Sequence, residues 1–476
     1  MGGNSPDHNS DHRSDHSPDH SPGFTERLTT ALTGSPATPL VFLGNFEVEQ
    51  QWARGEHTLP RVSAASANAV VNRMDEFTLL LAGGSHHVVL KARPDEEYLG
   101  YLTALGLDLP RMHVVSHQEP QRTVTEDALA DPALLRTLSG LAAGGAQLAV
   151  HGVSEVEERL AAVSGLPVAG PDAATCKAVN SKVYSRRLAD EAGLRQPRGW
   201  ACQTLAELAD AFEAAGASEG GRYVVKEAFG VSGKGIAMLE SPRRRERVHH
   251  LIARQAERSG RSAVAFVVEE WVDKRADLNY QFTVGRDGTV RFDFVKELLT
   301  ENGVHKGHRM PADLTPAQST TLRSAAEVLG KRLAADGYFG VVGVDAMVDP
   351  AGELYPVVEI NARNNMSTYQ ARLQERFVGE GRVALARHYP LRLDAPLPFG
   401  EVRRLLGGLL LERAGGTGLL VNNFATVNAG FPADGTPGAP VDGRLYGIVV
   451  ADRAEDLHAT DAEIADRLAA RGENRS

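Results

Sequence analysis

The sequence predicts a protein of mixed α/β and α+β class, with an N-terminal α/β domain, a central core and a small C-terminal α+β domain. Three observations lead to this prediction. Short apolar runs alternate with helical stretches over residues 39–170, apolar runs fold back as hairpins over residues 171–387, and residues 388–476 mix helices with strands. A length of 476 residues agrees with about three domains.

The first 38 residues are predicted to be a disordered tail. They repeat Asp-His every four residues, at His8, His12, His16 and His20, and offer almost no apolar side chains. Burial there could not offset the entropy of ordering the chain. Four histidines at this spacing could chelate a metal weakly, although a polar tail is the simpler interpretation.

Composition excludes several classes of protein. Apolar residues make up 42% and charged residues 24%, which is typical of a globular protein with a sizeable core. The net charge of −10 argues against generic binding to nucleic acid or to an anionic membrane. Two cysteines without C-x-x-C spacing exclude a disulfide framework and a cysteine zinc site. With neither a secretory signal nor an apolar run of about 20 residues, the expected location is the cytoplasm.

Apolar runs and turn signals place the secondary structure. In the N-terminal domain we predict strands at PLVFLGNF, EFTLLLAGG, VVLKARP, MHVVS and QLAVHG, with helices between them. The first strand is not followed by G-x-G-x-x-G, so a dinucleotide site is not supported. The core is predicted to begin with a helix from near Asp172 that carries Lys182, and to contain two β-hairpins and a helix over residues 315–335.

The second hairpin carries the clearest set of chemical groups. Glu359 and Asn361 are two residues apart in VVEINAR and share a strand face, and Asp345 lies almost opposite Glu359 on the partner strand. Carboxylates this close on an apolar scaffold repel each other and resist desolvation. Oxygen ligands of this kind suit Mg²⁺ or Mn²⁺ bridging a polyphosphate. The alternative is a solvated hairpin face with incidental acids.

A glycine-rich loop and two lysines suggest contacts to phosphate. The loop from Gly230 to Gly235, with Ser232, Gly233 and Lys234 inside it, joins two strands and is not a Walker A loop. Lys182 lies in a helix, and Lys226 lies in the strand YVVKEAF with apolar neighbours on its face. A phosphate would pair such an ammonium, although a carboxylate partner or a snorkelling stem is the ordinary alternative for each lysine.

Two further features remain open at this point. The run VVEEWV contains Glu269, Glu270 and Val272 and could offer an apolar wall and backbone hydrogen bonds to an adenine ring, or it could be a core strand ending in surface acids. Lys296 shares a strand face with two phenylalanines. It either reaches into a cleft or snorkels at the edge of the sheet.

In this order along the chain, these features resemble the signature of the ATP-grasp superfamily, over about residues 171–385. The resemblance implies a two-lobed ATP-grasp core behind a pre-ATP-grasp domain, with a lid near residues 222–272. It implies that Asp277 binds ribose, with Asn279 as the competing position, and that Arg363 neutralises the γ-phosphate. The remaining implied roles are phosphate contacts for Lys182, Lys226 and the loop 230–235, adenine contacts for Glu269, Glu270 and Val272, and metal ligation by Asp345, Glu359 and Asn361. Lys296 is predicted to bind the cofactor without an assigned contact.

The flanking segments resemble the pheganomycin-type peptide ligases. VFLGNFEVEQQW precedes the core, and GLLVNNFATVN and YGIVVA follow it. This resemblance implies a ligase of antibiotic biosynthesis that joins the carboxylate of an unusual, guanidino-bearing amino acid to the N-terminal amine of a peptide. A carboxylate would have to pair with the guanidino group, and Asp293, Glu297 and Glu301 are the candidates.

The chemistry would proceed through an acyl phosphate, with Arg363 and Arg309 as candidate donors to the tetrahedral oxyanion. No residue is predicted as general base. The alternatives are another amino acid–amino acid ligase, a kinase on the same lobes, and a non-catalytic nucleotide-binding module. We expect no nucleic-acid or membrane partner, and a homodimer is left open.

Overall fold

The computed structural model describes residues 22–59, 67–218, 221–230, 235–301, 304–431 and 439–473. In chain order, its strands are β1 (Leu40–Leu43), β2 (His87–Leu90), β3 (Arg111–Val114), β4 (Gln147–Val150), β5 (Gly199–Thr204), β6 (Tyr223–Glu227), β7 (Ile236–Met238), β8 (Ala263–Glu270), β9 (Ala276–Val284), β10 (Val290–Glu301), β11 (Val304–Met310), β12 (Gly340–Val348), β13 (Leu354–Asn361), β14 (Val383–Leu393), β15 (Gly418–Asn423) and β16 (Val441–Ala451).

The α-helices are α1 (Phe24–Thr33), α2 (Val48–Trp52), α3 (Ala67–Asn72), α4 (Thr78–Leu81), α5 (Glu96–Ala104), α6 (Val124–Leu129), α7 (Pro132–Ala143), α8 (Glu155–Ser164), α9 (Ala173–Val179), α10 (Lys182–Glu191), α11 (Leu205–Ala217), α12 (Pro242–Ser259), α13 (Pro316–Ala335), α14 (Ala371–Leu373), α15 (Phe399–Leu406) and α16 (Ala454–Glu473). Within the described ranges, no helix is both long and apolar enough to cross a bilayer.

The N-terminal domain contains a parallel four-stranded sheet in the order β3-β2-β1-β4. Four of the five predicted strands are confirmed here. The prediction for EFTLLLAGG was wrong, because this segment forms a 3₁₀ turn (Met74–Phe77) followed by α4, all of it buried. A short apolar run fits a buried helix as well as a buried strand, so periodicity could not separate the two.

The predicted tail also needs a correction, because residues 24–33 form α1. Phe24, Leu28 and Leu32 recur every four residues and are buried, which is the spacing of one helix face. The N–H of Phe24 donates to the Glu375 carboxylate at 2.8 Å, and Arg27 pairs with the same group. The Asp-His repeat lies outside the described residues.

The predicted core consists of two antiparallel sheets. The smaller sheet has the order β5-β8-β6-β7, and the larger one has the order β13-β12-β9-β10-β11-β14-β16-β15. Both predicted hairpins are confirmed, as β9–β10 and as β12–β13.

The predicted helix near Asp172 is two helices, α9 and α10. The side chain of Asp172 caps α9, and that of Ser181 caps α10 by accepting the N–H of Val183. Serine is a favoured N-cap residue because its hydroxyl satisfies a helix N–H that lacks an internal partner. Lys182 is therefore the first residue of α10, at a fixed position beside the larger sheet.

The C-terminal strands extend the larger sheet. Strand β14 pairs with β11 on one side and β16 on the other, and β15 completes the edge. The predicted boundary at residue 388 falls inside β14. The division into domains stays a prediction, while the continuous sheet places C-terminal side chains next to the core.

Glu76 ties the N-terminal domain to the C-terminal segment. Its Oε2 accepts the N–H groups of Phe424 at 2.5 Å and Ala425 at 2.8 Å, while its Oε1 is buried without a partner among the described residues. Burial raises the pKa of Glu76 to about 7 from an ordinary value of 4.5, against the effect of the two N–H groups.

Replacing Glu76 by glutamine should flatten the pH dependence of stability. The folded state holds the Glu76 proton more tightly than the unfolded state does, so this contribution is complete below pH 4.5 and is lost as pH rises towards about 7. The difference is at most about 3 kcal/mol of unfolding free energy. Urea titrations at several pH values measure it, with the exposed Glu96→Gln as control. Parallel profiles for wild type and Glu76→Gln would contradict the assignment.

Candidate active site

Two carboxylates and two amides meet on one face of the larger sheet. Asp345 on β12 is the register partner of Glu359 on β13 and, on its other side, of Asn279 on β9. The Nδ2 of Asn279 donates to Asp345 Oδ1 at 2.9 Å, and the Nδ2 of Asn361 lies 3.4 Å from Asp345 Oδ2. The structure thus brings together the three predicted metal ligands and adds Asn279, which sequence reasoning considered only for ribose.

The electrostatics of this group are unfavourable without a cation. Burial, and next the charge of Glu359, raise the pKa of Asp345 to about 6 from an ordinary 3.8. The Oδ1 of Asn279 is buried and has no hydrogen-bond partner in the described part of the chain. A cluster of buried side-chain oxygen atoms with few hydrogen-bond donors nearby is suited to binding a hard divalent cation.

The two predicted phosphate lysines point into the same region. Lys182 Nζ lies 2.6 Å from Glu359 Oε1 and 3.0 Å from the carbonyl oxygen of Gly230. Lys226 Nζ lies 2.5 Å from Glu269 Oε1. Burial acts to lower the pKa of Lys226, but Glu269 more than compensates and the pKa is raised. A carboxylate therefore holds each lysine at the edge of a cavity.

Arg363 adds a third cation and connects the core to the N-terminal domain. Its Nε donates to Glu49 Oε1 at 2.7 Å, and its Nη2 donates to Asn361 Oδ1 at 3.1 Å. Burial acts to lower the pKa of Arg363, but Glu49 in particular raises it. Glu49 comes from α2, more than 300 positions away in sequence, and no local signal identifies it.

These groups surround a cavity of about 360 Å³ between the two sheets, called the first cavity below. Its walls include residues from β8, the following segment, β9, β12 and β13. They comprise Lys182, Lys226, Gly230, Glu269, Glu270, Trp271, Val272, Lys274, Asp277, Asn279, Leu298, His308, Asp345, Met347, Glu359, Asn361, Arg363 and Met366.

The predicted glycine loop is described only at its ends. Gly230 lines the first cavity, and Gly235 has a φ of 79°, where a Cβ would lie 2.7 Å from Glu227 Oε2. A side chain at position 235 would therefore be both strained and crowded. Ser232, Gly233 and Lys234 lie outside the described residues.

The segment predicted to hold adenine lines the first cavity. The side chain of Glu269 forms an ion pair with Lys226, and its Oε2 lies 3.5 Å from Arg186 Nη1. Glu269 therefore holds the Lys226 side chain in position. The N–H of Glu270 donates to the carbonyl of Arg198, whereas no described residue accepts the N–H of Val272. The backbone beside Val272 is therefore open to a ligand.

The two competing ribose positions have different surroundings. Asp277 and Asn279 share one face of β9 and both line the first cavity. Asn279 donates a hydrogen bond to Asp345, whereas Asp277 forms an ion pair with Lys274, which is closer to Val272 in sequence.

Three predicted site residues that the structure describes, Gly235, Lys296 and Arg309, are not among those that line the first cavity. Lys296 is fully buried, with Nζ 3.0 Å from Gln370 Oε1 and 3.2 Å from the Ser367 carbonyl, and desolvation places its pKa well below the ordinary value. Arg309 pairs with Glu297 across β10–β11 at 2.5 Å. Adjacent residues of a strand face opposite ways, and its neighbour His308 is the one that lines the cavity. Neither Lys296 nor Arg309 contributes to the wall of the first cavity, and the ligand-binding roles predicted for them stay predictions.

A second cavity, of about 280 Å³, adjoins the first and shares Arg363, His308 and Met366 with it. Its other walls come from the N-terminal domain and from β14–β16. His308, whose Nε2 lies 3.1 Å from Ser367 Oγ, is the junction residue that sequence reasoning missed. An isolated histidine in a strand carries no distinguishing pattern.

Comparison with known proteins identifies the class. Residues 74–166 match the family model of the pre ATP-grasp domain, and residues 180–367 match that of the ATP-grasp domain. The chain therefore contains a pre ATP-grasp domain followed by an ATP-grasp domain. An N5-carboxyaminoimidazole ribonucleotide synthetase solved as its ADP complex superposes on this chain with a TM-score of 0.52 at 13% identity, covering 90% of this chain and 96% of the other.

Individual relatives are distant. The butirosin acyl-carrier protein–L-glutamate ligase of Niallia circulans is 26% identical over 328 residues, which cover 67% of this chain and 71% of the relative. The N5-carboxyaminoimidazole ribonucleotide synthetase of Thermus thermophilus superposes with a TM-score of 0.51 at 16% identity, covering 90% of this chain and 98% of the other. A biotin carboxylase–β,γ-ATP complex from Campylobacter jejuni gives 0.52 at 12% identity, covering 90% and 91%. At these identities the structures share the fold.

Proposed function

We propose that this protein uses ATP to activate a carboxylate as an acyl phosphate and joins it to an amine, releasing ADP and phosphate. The observation that carries the proposal is that Asp345, Glu359 and Asn361 line one cavity together with Lys182, Lys226 and Arg363. Acids and cations that line the same cavity match a polyphosphate that carries a divalent cation.

ATP would lie along the first cavity. Its adenine would bind at the open backbone of Val272, with Glu270 adjacent, and its ribose would bind Asp277, because Asn279 is occupied by Asp345. The phosphates would displace the carboxylates that now hold Lys182 and Lys226. The loop 230–235 would cover them and exclude water from the reactive acyl phosphate.

Asp345, Glu359 and Asn361 would hold Mg²⁺ or Mn²⁺. Within the described ranges, no group of three or more His, Cys, Asp or Glu residues could hold a metal by itself. Two carboxylates and an amide would supply oxygen ligands of the kind that Mg²⁺ takes. When bound, the cation supplies charge neutralisation on the phosphates.

The protein's own groups account for the two chemical steps. A donor carboxylate oxygen attacks the γ-phosphorus of ATP, and the bond to the ADP oxygen breaks. Arg363 would hold the donor carboxylate and then the acyl phosphate. A neutral amine attacks the acyl carbon, phosphate leaves with the donor oxygen, and the amine loses its proton. Arg363 is the donor we assign to the oxyanion, since Arg309 is turned away.

The finer proposal is that the donor is an amino acid and the acceptor a peptide. It rests on the likeness to peptide ligases and on the C-terminal strands, which form one wall of the second cavity and could roof a groove for the acceptor. The name of the curated relative, a glutamate ligase, also supports an amino-acid donor.

A guanidino-bearing donor gains no support from the candidate carboxylates. Glu297 is paired with Arg309, and Asp293 accepts hydrogen bonds from Gln281 and Thr283. The side chain of Glu301 lies outside the described residues. A location in the cytoplasm and a homodimer also stay proposals.

The test is product analysis. The full chain is incubated with ATP, Mg²⁺ and pairs of amino acids and short peptides, and products are measured by mass spectrometry together with ADP. The proposal expects an amide that has lost one water relative to the reactants, with one ADP for each amide. A phosphorylated product without amide would make the protein a kinase, and no ADP with any pair would contradict the ligase proposal.

A further inference from the structure

The second cavity is built from distant parts of the chain and opens beside the reacting groups. Phe46 and Met74 come from the N-terminal domain, Gly307 from β11, and Tyr446 from β16. Because Arg363 lines both cavities, a molecule whose carboxylate contacts Arg363 would place its remaining atoms in the second cavity. A volume of about 280 Å³ fits a body of amino-acid size.

The charges on the walls are strongly unbalanced. The described lining contains four cations, Lys306, Arg363, Arg387 and Arg444, and a single carboxylate, Glu49. That carboxylate is already engaged by Arg363. Glu49 therefore offsets the charge of Arg363, and the formal charge of the lining residues remains positive.

Arg444 is the cation available to a ligand. Arg387 pairs with Asp461 at 2.8 Å, whereas the guanidinium of Arg444 has no hydrogen-bond or ion-pair partner in the part of the chain that the structure describes. Its backbone is fixed on β16, with its N–H donated to the Thr426 carbonyl. A half-buried guanidinium of this kind is suited to bidentate binding of a carboxylate.

The rest of the wall fits a short carbon chain. Val71, Met74, Met366 and Phe46 contribute apolar surface between the Arg363 end and the strands β14–β16. A substrate that matches the cavity has one carboxylate at Arg363, an apolar segment, and an anionic group at Arg444.

We propose that the second cavity binds a second anionic group of the substrate, a carboxylate held by Arg444, in addition to the carboxylate that reacts. This inference rests on the proposed ligase function and narrows its substrate class. A guanidinium side chain in this cavity would face excess positive charge, so the proposal replaces the guanidino donor with a dicarboxylic one.

The experiment measures binding without turnover. Glutarate, a dianion, and butyrate, a monoanion, are titrated calorimetrically into the full chain without ATP. We expect glutarate to bind more tightly than butyrate, and Arg444→Gln to weaken glutarate binding about tenfold or more. The matched control is Arg392→Gln, which removes an exposed arginine paired with Asp442 on the same sheet. ADP affinity should be unchanged in both variants, which shows that they fold.

A second arm distinguishes the source of the anion. If the acceptor peptide supplies the anion, trialanine should bind in an Arg444-dependent way, and trialanine with an amidated C-terminus should not. That result would also support an anionic group at Arg444. Equal glutarate affinity of wild type and Arg444→Gln, together with no Arg444 dependence for trialanine, overturns the proposal. So does tighter binding of the guanidino cation agmatine. Because these measurements need no ADP release, they stand apart from failure of the ligase reaction.

Discussion

Replacing Glu359 by alanine is expected to lower the rate of ADP release by about 10³-fold or more. The change removes one of two carboxylates proposed to hold the cation and leaves the buried Lys182 ammonium without its partner 2.6 Å away. Misplaced phosphates lose the alignment on which phosphoryl transfer depends. Steady-state ADP release, with saturating ATP and Mg²⁺, measures the effect.

The control is Glu353→Gln on the same hairpin. Glu353 is exposed and pairs with Arg195, away from the first cavity, so this variant should keep wild-type rates. Circular dichroism and thermal melting show whether Glu359→Ala is folded. A folded Glu359→Ala protein with near-normal turnover would contradict the metal assignment.

Replacing Arg363 by methionine is expected to reduce turnover by about 10²–10³-fold, with a small change in ADP affinity. Arg363 lines both cavities and also contacts Asn361. It is therefore placed to bind the donor carboxylate and the developing oxyanion. The measurements are kcat and KM for the donor, together with ADP affinity by calorimetry.

This variant also leaves the Glu49 carboxylate, which is only 12% exposed, without its ion-pair partner, and this is costly for folding. The double variant Arg363→Met/Glu49→Gln removes that charge and should recover stability without recovering activity. Glu49→Gln alone, which keeps the guanidinium, should lose less than the Arg363 variant does. Recovery of turnover in the double variant would show that Arg363 acts through the structure and not on the substrate.

The acidic group could be predicted from sequence because strand geometry is local. Side chains alternate along a strand, and a short turn fixes the register of a hairpin. Asp345, Glu359 and Asn361 were therefore placed together correctly from two segments less than 20 residues apart. The alternation of strands and helices likewise predicted the α/β domain.

What could not be predicted depends on distant contacts. Glu49 and Arg363 are 314 positions apart in sequence, and the interior that buries Lys296 includes the segment that follows β13. The Asp-His repeat dominates the composition of the first 38 residues and obscures the helix at residues 24–33. The four-residue spacing of Phe24, Leu28 and Leu32 is the local signal for that helix. A run such as Thr78–Leu81, buried on every side, shows no period that could distinguish helix from strand.

The acyl phosphate is the central intermediate of the proposed reaction. The direct measurement uses a donor acid with oxygen-18 in both carboxylate positions and analyses the released phosphate and the amide by mass spectrometry. Activation by ATP at the γ-phosphorus predicts that each amide formed is accompanied by one phosphate that carries a single oxygen-18 atom, with the other label kept in the amide carbonyl. Amide formation with unlabelled phosphate would contradict the account.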